Sequence, residues 1–136
     1  MMTGEPIEPY VRSEVPPDDA VVVVRGGPVA PEKIVEHAQR QAREYTYRDV
    51  PMYSVSVSLT VPGWDLSALL AGPLSSRSTF AVSTAGVVRA AGFELLPTYG
   101  APHYDLLLDT GEYREAETLL GLFGSPTPNP YKSRGR

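Results

Sequence analysis

Two histidines, no cysteine and a few well-placed hydroxyls, carboxylates and one arginine make up the catalytic inventory of this chain. His103 lies in Ala101-Pro102-His103-Tyr104-Asp105, at the exit of an expected hairpin loop, where a side chain projects from a rigid edge. Imidazole exchanges protons near neutral pH, which suits general acid or base work. Arg25 closes a run of valines and stands just before Gly26 and Gly27. A guanidinium there can grip a phosphate or carboxylate through two parallel hydrogen bonds, and the glycines admit a close ligand or backbone. The alternative is a solvated arginine where a strand surfaces. Ser54 and Ser56 alternate with valines, so both hydroxyls point to one side of a strand, able to bond a ribose or steady a carboxylate. Glu94 and Glu112 are the candidate catalytic carboxylates, while Glu115 and Glu117 fall on the expected exposed side of the last helix. His37 sits on the polar side of the first helix and is the weaker histidine.

Several chemistries are excluded or left without a motif. Without cysteine there are no disulfides, thiolate zinc sites or cysteine nucleophiles. His37 and His103 are 66 residues apart and neither has a second histidine at helical spacing, so no metal site is expected. No P-loop or dinucleotide-binding glycine fingerprint occurs; Gly26-Gly27 after a strand makes either a small anion site or an ordinary turn. The formal net charge is −4, and a mildly acidic body argues against broad binding along a phosphate backbone.

The elements that must position these residues follow from pattern. Ala20 to Val24 reads as a buried strand, and Pro31 opens a helix carrying Ile34, Ala38, Ala42 and Tyr45 on one stripe. Tyr53 to Val61 alternates cleanly, with Ser54, Ser56, Ser58 and Thr60 opposite the apolar face, a hydroxyl ladder that is either wet or the lining of a groove. Asp65 is placed to cap a short helix bearing Leu66, Leu69 and Leu70. Residues 78–91 fit a helix ending at Gly92, capped by the preceding serines, although 79–82 alone fit a strand. Phe93 to Pro97 and Tyr104 to Leu108 form a hairpin, and Ala116, Leu119, Leu120 and Phe123 a final helix ended by Gly124. The fold class expected is α+β, a small, mostly antiparallel sheet with three to four helices. Residues 20–124 make a single domain, between a flexible, proline-rich acidic arm (1–19) and a flexible basic tail (125–136) containing Lys132, Arg134 and Arg136. No run approaches the length of a membrane span, so a cytoplasmic, bacterial-type protein is expected, with no membrane partner.

Two resemblances bear on function. The order of Arg25 after a strand, then Ser54 and Ser56 (or Ser76 and Ser78), then Glu94 or Glu112, resembles ADP-ribosyltransferase-like toxins. That resemblance implies Arg25, Gly26, Ser54 and Ser56 at a nicotinamide dinucleotide, NAD being a substrate with no tightly bound cofactor, and a glutamate or His103 at a macromolecular acceptor. No compact serine–threonine–serine motif stands where that family has it, and no clear strand carries a glutamate-x-glutamate motif. Locally, Val87 to Phe93 followed by a hairpin ending in His103 is similar to HicA-type messenger-RNA-cleaving toxins, with Ala101-Pro102-His103 in place of Gly-Ser-His. That likeness spans some 25 residues and implies a metal-independent ribonuclease in which His103 is catalytic, with Tyr99, Tyr104 or Arg25 as the second group. Either toxin-like reading implies an antitoxin or immunity protein as partner and an RNA or protein acceptor. The third expectation, from another class, is a non-enzymatic antitoxin, immunity or adaptor module.

Overall fold

The structure, a computed structural model, describes residues 5–24 and 30–132. Four consecutive valines form β1 (Val21–Val24), and they are continuous rather than alternating because this strand lies inside the sheet, with Val22 and Val23 buried on opposite faces. Helix α1 (Pro31–Glu44) follows, with proline in its first turn and Ile34 and Ala38 buried. A two-residue turn, Arg48-Asp49, with both residues at positive φ, joins β2 (Thr46–Tyr47) to β3 (Val50–Pro51). Next come β4 (Ser54–Leu59) and α2 (Leu66–Ala71), whose Asp65 side chain accepts from the Ala68 N–H at 2.8 Å.

Residues 78–91 depart from the expected helix. They form β5 (Thr79–Thr84) and then α3 (Ala85–Ala90). Thr79, Phe80, Val82 and Thr84 are β-branched or aromatic, and a full strand lets residues 81–84 of β5 pair with all four residues of β1. The serines before it lead into a strand, and Thr84 caps the helix instead, accepting from the Val87 N–H at 3.3 Å. Gly92, at φ +98°, lies one residue beyond the cap residue Ala91. The hairpin strands are β6 (Glu94–Leu96) and β7 (His103–Leu107), so His103 begins a strand rather than preceding one. Helix α4 (Tyr113–Leu120) ends at Gly121, three residues before Gly124, and β8 (Thr127–Pro128) completes the chain of elements.

Six strands form one sheet in the order β6-β7-β4-β1-β5-β8, every neighbouring pair antiparallel, with β2-β3 as a separate ribbon. The α+β class and the mostly antiparallel sheet expected from the sequence are what the structure has. One face carries Val22, Val55, Val57, Leu59, Tyr104 and Leu106, packed under α1, α3 and α4. The other carries Val23, over which Leu69, Leu70 and Leu74 pack. Each such aliphatic side chain removed from water contributes about 1.5–3 kcal/mol, so two covered faces hold a small sheet rigid.

Residues 5–19, the expected arm, run along the domain. Ile7 exchanges backbone hydrogen bonds with Glu44 and Thr46. Tyr10 accepts from the Tyr99 N–H and Arg12 donates to the Pro97 carbonyl, beside the β6–β7 loop. Asp18 pairs with Arg89 at 2.8 Å, and the Pro16 carbonyl accepts from the same guanidinium. In the expected tail, β8 pairs with β5, and buried Asn129 donates to the carbonyls of Leu70 and Leu74.

Gly111 closes α4 against α1 and β4: at φ +69°, a Cβ there would meet Tyr53 Cδ1 at 2.7 Å. Gly92 has the same backbone demand and open space around it. Gly92→Ala should therefore cost about 1–2 kcal/mol from backbone strain alone. Gly111→Ala should cost more, because a core ring must also shift, and urea midpoints of the two variants measure the difference.

Candidate functional site

Starting β7 at His103 changes what its neighbours are. Side chains alternate along a strand, so His103 and Asp105 share a face, and the register sets Ser58 opposite His103 and Ser56 opposite Asp105. The hydroxyl ladder of β4 thus lies beside an imidazole and a carboxylate. Asp105 is 2% exposed, and Ser54 and Thr98 are fully buried, while Ser56 and His103 are half-buried. The ladder is therefore covered at Ser54 and Ser58 and is half-buried at Ser56 and Thr60.

A buried carboxylate needs donors, and Asp105 has two. Ser54 Oγ donates to Oδ1 at 3.1 Å, and Thr98 Oγ1 donates to Oδ2 at 2.8 Å. Gln41 Nε2 donates in turn to Ser54 Oγ at 3.5 Å. His103 Nδ1 lies 3.0 Å from Thr98 Oγ1 and 3.3 Å from the Thr98 carbonyl oxygen. A carbonyl only accepts, and the single Thr98 proton is committed to Asp105, so Nδ1 carries the hydrogen. That leaves Nε2 of the neutral ring as a proton acceptor. The chain His103–Thr98–Asp105 thus orients the imidazole and places negative charge where an imidazolium would need it.

The loop holding Thr98 and His103 is fixed from outside by Arg12. Its Nη1 donates to the carbonyls of Thr98 (2.8 Å), Tyr99 (3.0 Å) and His103 (3.3 Å), and Nε to Glu14 at 2.8 Å. The guanidinium lies 5.3 Å from the centroid of the Tyr104 ring, whose hydroxyl donates to Glu14 at 2.7 Å. Hydrogen bonds from Arg12 and then Tyr104 hold the Glu14 carboxyl below its usual range, and burial followed by the Glu14 contact pushes the Tyr104 phenol up. Tyr99 sits at the loop's tip with φ +57°, a left-handed backbone that costs a bulky residue about 1–3 kcal/mol. Its ring meets Tyr45 edge-on at 6.4 Å and the His103 ring at 6.2 Å, and burial, then the Tyr45 contact, push its phenol up to about 12.

Of the residues singled out from the sequence, His103 and Ser54 come together through Asp105, with Ser56 beside them. Glu94 is elsewhere in function: both its oxygens accept from Arg48 at 3.0 Å, on the rim of a cleft of about 660 Å³ that Tyr47, Tyr53 and Phe93 also line. Glu112 is exposed at the start of α4 and does not reach this network. Glu115, expected on an outer face, instead accepts from the N–H groups of Asp109, Thr110 and Gly111 and builds the turn before α4. Arg25 and Gly26 lie outside the described residues. His103, Ser54 and Ser56 line neither the 660 Å³ cleft nor two smaller ones of about 570 and 460 Å³. Thr98 and Arg12 were not foreseen. For Asp105 the signal was present, a histidine and an aspartate two apart at the start of a strand.

No protein-family model, curated protein or solved structure matches this chain. Among the described residues no group of three or more histidine, aspartate or glutamate side chains is arranged to hold a metal ion, and no helix is long and apolar enough to cross a membrane.

Thr98→Val keeps shape but removes the link between His103 and Asp105, and should cost about 1–3 kcal/mol as a carboxylate oxygen and Nδ1 lose their partner. The pH dependence has a definite sign. Because the folded state lowers the Glu14 pKa, its contribution is complete above the ordinary carboxyl value and is lost as pH falls through the folded value. Urea midpoints measured from pH 7 downward should fall less steeply in Glu14→Gln than in the wild type.

Proposed function

We propose that the protein is a ribonuclease that cleaves single-stranded RNA with His103 as its acid–base group. The observation supporting this most is the position of the oriented imidazole: a rim beside exposed Tyr99 rather than the bottom of a cleft. A dinucleotide substrate asks for a concave pocket that buries most of it, and a carboxylate within that pocket. Ser54 and Ser56 line none of the clefts described, and Glu94 is engaged by Arg48, so ADP-ribose transfer has less support than the sequence order implied. An extended RNA strand lies across a rim readily, with its bases on aromatic rings. The net charge of −4 favours a short segment gripped at one or two phosphates over a long duplex.

In the reaction proposed, His103 Nε2 takes the proton of a ribose 2′-hydroxyl. The 2′ oxygen attacks the adjacent phosphorus, the P–O5′ bond breaks, and the departing oxygen takes a proton from water. The products are a 2′,3′-cyclic phosphate and a 5′-hydroxyl. Because the nucleophile belongs to the substrate, the step needs no metal-activated water, and Asp105, through Thr98, stabilises the imidazolium as it forms. Arg25, outside the described residues, remains the sequence's candidate for the phosphate.

Purified protein should cut single-stranded RNA in the presence of EDTA, leaving cyclic phosphate ends. His103→Ala should lower the rate about 100-fold or more. Thr98→Val should lower it less and alter its pH profile. A substrate with 2′-deoxyribose at the cut site should survive. Intact RNA together with label transferred from NAD to protein would replace this reading with the transferase. Intact RNA and no transfer would favour a docking module.

A further inference from the structure

We infer that Tyr99 is a base-stacking platform of this site, seating one unpaired nucleobase next to the ribose whose 2′-hydroxyl His103 deprotonates. The inference rests on the RNA reading above and names the subsite that reading lacks. Tyr99 is the residue at the tip of the β6–β7 loop, and three features set it apart from an incidental surface tyrosine.

Its backbone is left-handed although glycine follows at position 100, so the strained conformation has been placed on the residue with the large ring. Both its backbone groups are fixed from the arm: the N–H donates to the Tyr10 carbonyl at 2.9 Å, and the carbonyl accepts from Arg12 at 3.0 Å. The residue is still 42% exposed, its ring held edge-on by Tyr45 and 6.2 Å from the imidazole. An aromatic side chain that is rigid, exposed and adjacent to an acid–base group is what stacking on a splayed base requires. Tyr10, bonded to Tyr99 through the backbone, is 68% exposed. Stacking is indifferent to base identity, so weak sequence preference is expected.

The test separates binding from cleavage. A single-stranded RNA hexamer with 2′-O-methyl groups, which cannot be cut, carries 2-aminopurine at successive positions. Wild-type protein and His103→Ala should both bind it and quench one position strongly. Tyr99→Leu, which keeps an apolar side chain but cannot stack, should bind about tenfold or more weakly and lose that quenching. Tyr99→Phe and Tyr99→Trp should retain both, and circular dichroism should show all variants folded. On cleavable RNA, Tyr99→Leu should raise KM more than it lowers kcat. Unchanged binding and quenching in a folded Tyr99→Leu protein overturns the inference even if His103-dependent cleavage is found. Tyr99-dependent quenching without any cleavage sustains the stacking site and removes the ribonuclease reading. Failure of the wild type to bind the hexamer overturns the inference outright.

Discussion

A carboxylate inside a sheet is the constraint on which this structure turns. Asp105 is 2% exposed in the second strand of six, where water does not complete its hydrogen bonds. Leaving such a group unpaired costs several kcal/mol, so the surrounding sequence is obliged to supply donors. Ser54 does so from the neighbouring strand and Thr98 from the loop before β7. The demand sets the local geometry: Thr98 must turn inward, and having spent its proton on Asp105 it can only receive one from His103. The tautomer of the histidine is thereby decided by an aspartate it does not touch.

The second consequence concerns the loop that carries these residues. Strands β6 and β7 are joined by Pro97 to Pro102, and backbone carbonyls in such a loop would ordinarily face water. With one nitrogen Arg12 collects two of them, at Thr98 and Tyr99, together with the carbonyl of His103 just beyond, and it rests against Tyr104, while Glu14 balances its charge. The arm thus acts as a splint. It converts a mobile-looking connection into a fixed one, which is the condition for an imidazole to hold its orientation.

The sequence made much of the frame legible and little of this splint. Val21 to Val24, the alternation of β4, the stripe of α1 and the hairpin at β6 and β7 were all readable, because burial imprints a period on the residues that experience it. The first half of 78–91 is a strand rather than the expected helix for a physical reason. Phe80, Thr84, Val87, Val88 and Ala91 satisfy a helical stripe, but 80 and 84 also share a strand face, and pairing with β1 decides between them. Ser54 and His103 were found by residue type, yet their relation was invisible, since it runs through a register of strands β4 and β7 that no local pattern encodes. Arg12 was hidden for a similar reason. In a proline-punctuated acidic segment its partners are backbone carbonyls some 86 to 91 positions away.

The edges of the sheet narrow what kind of ligand suits such a molecule. An exposed strand edge invites another strand to pair with it. Here β8 is two residues long, contains Pro128 and sits between Pro126 and Pro130, so it offers few donors. At the other edge β6 has three residues, and the arm occupies the backbone just beyond it at Pro97 and Tyr99. Strand addition is therefore poorly served at either end. What the fold presents instead is side chains at the β6–β7 turn: the ring of Tyr99 and, where β7 begins, the imidazole of His103. A surface of that kind recognises a ligand through rings and single polar atoms rather than through its backbone ladder. The single-stranded RNA proposed above meets that requirement better than an extended peptide would.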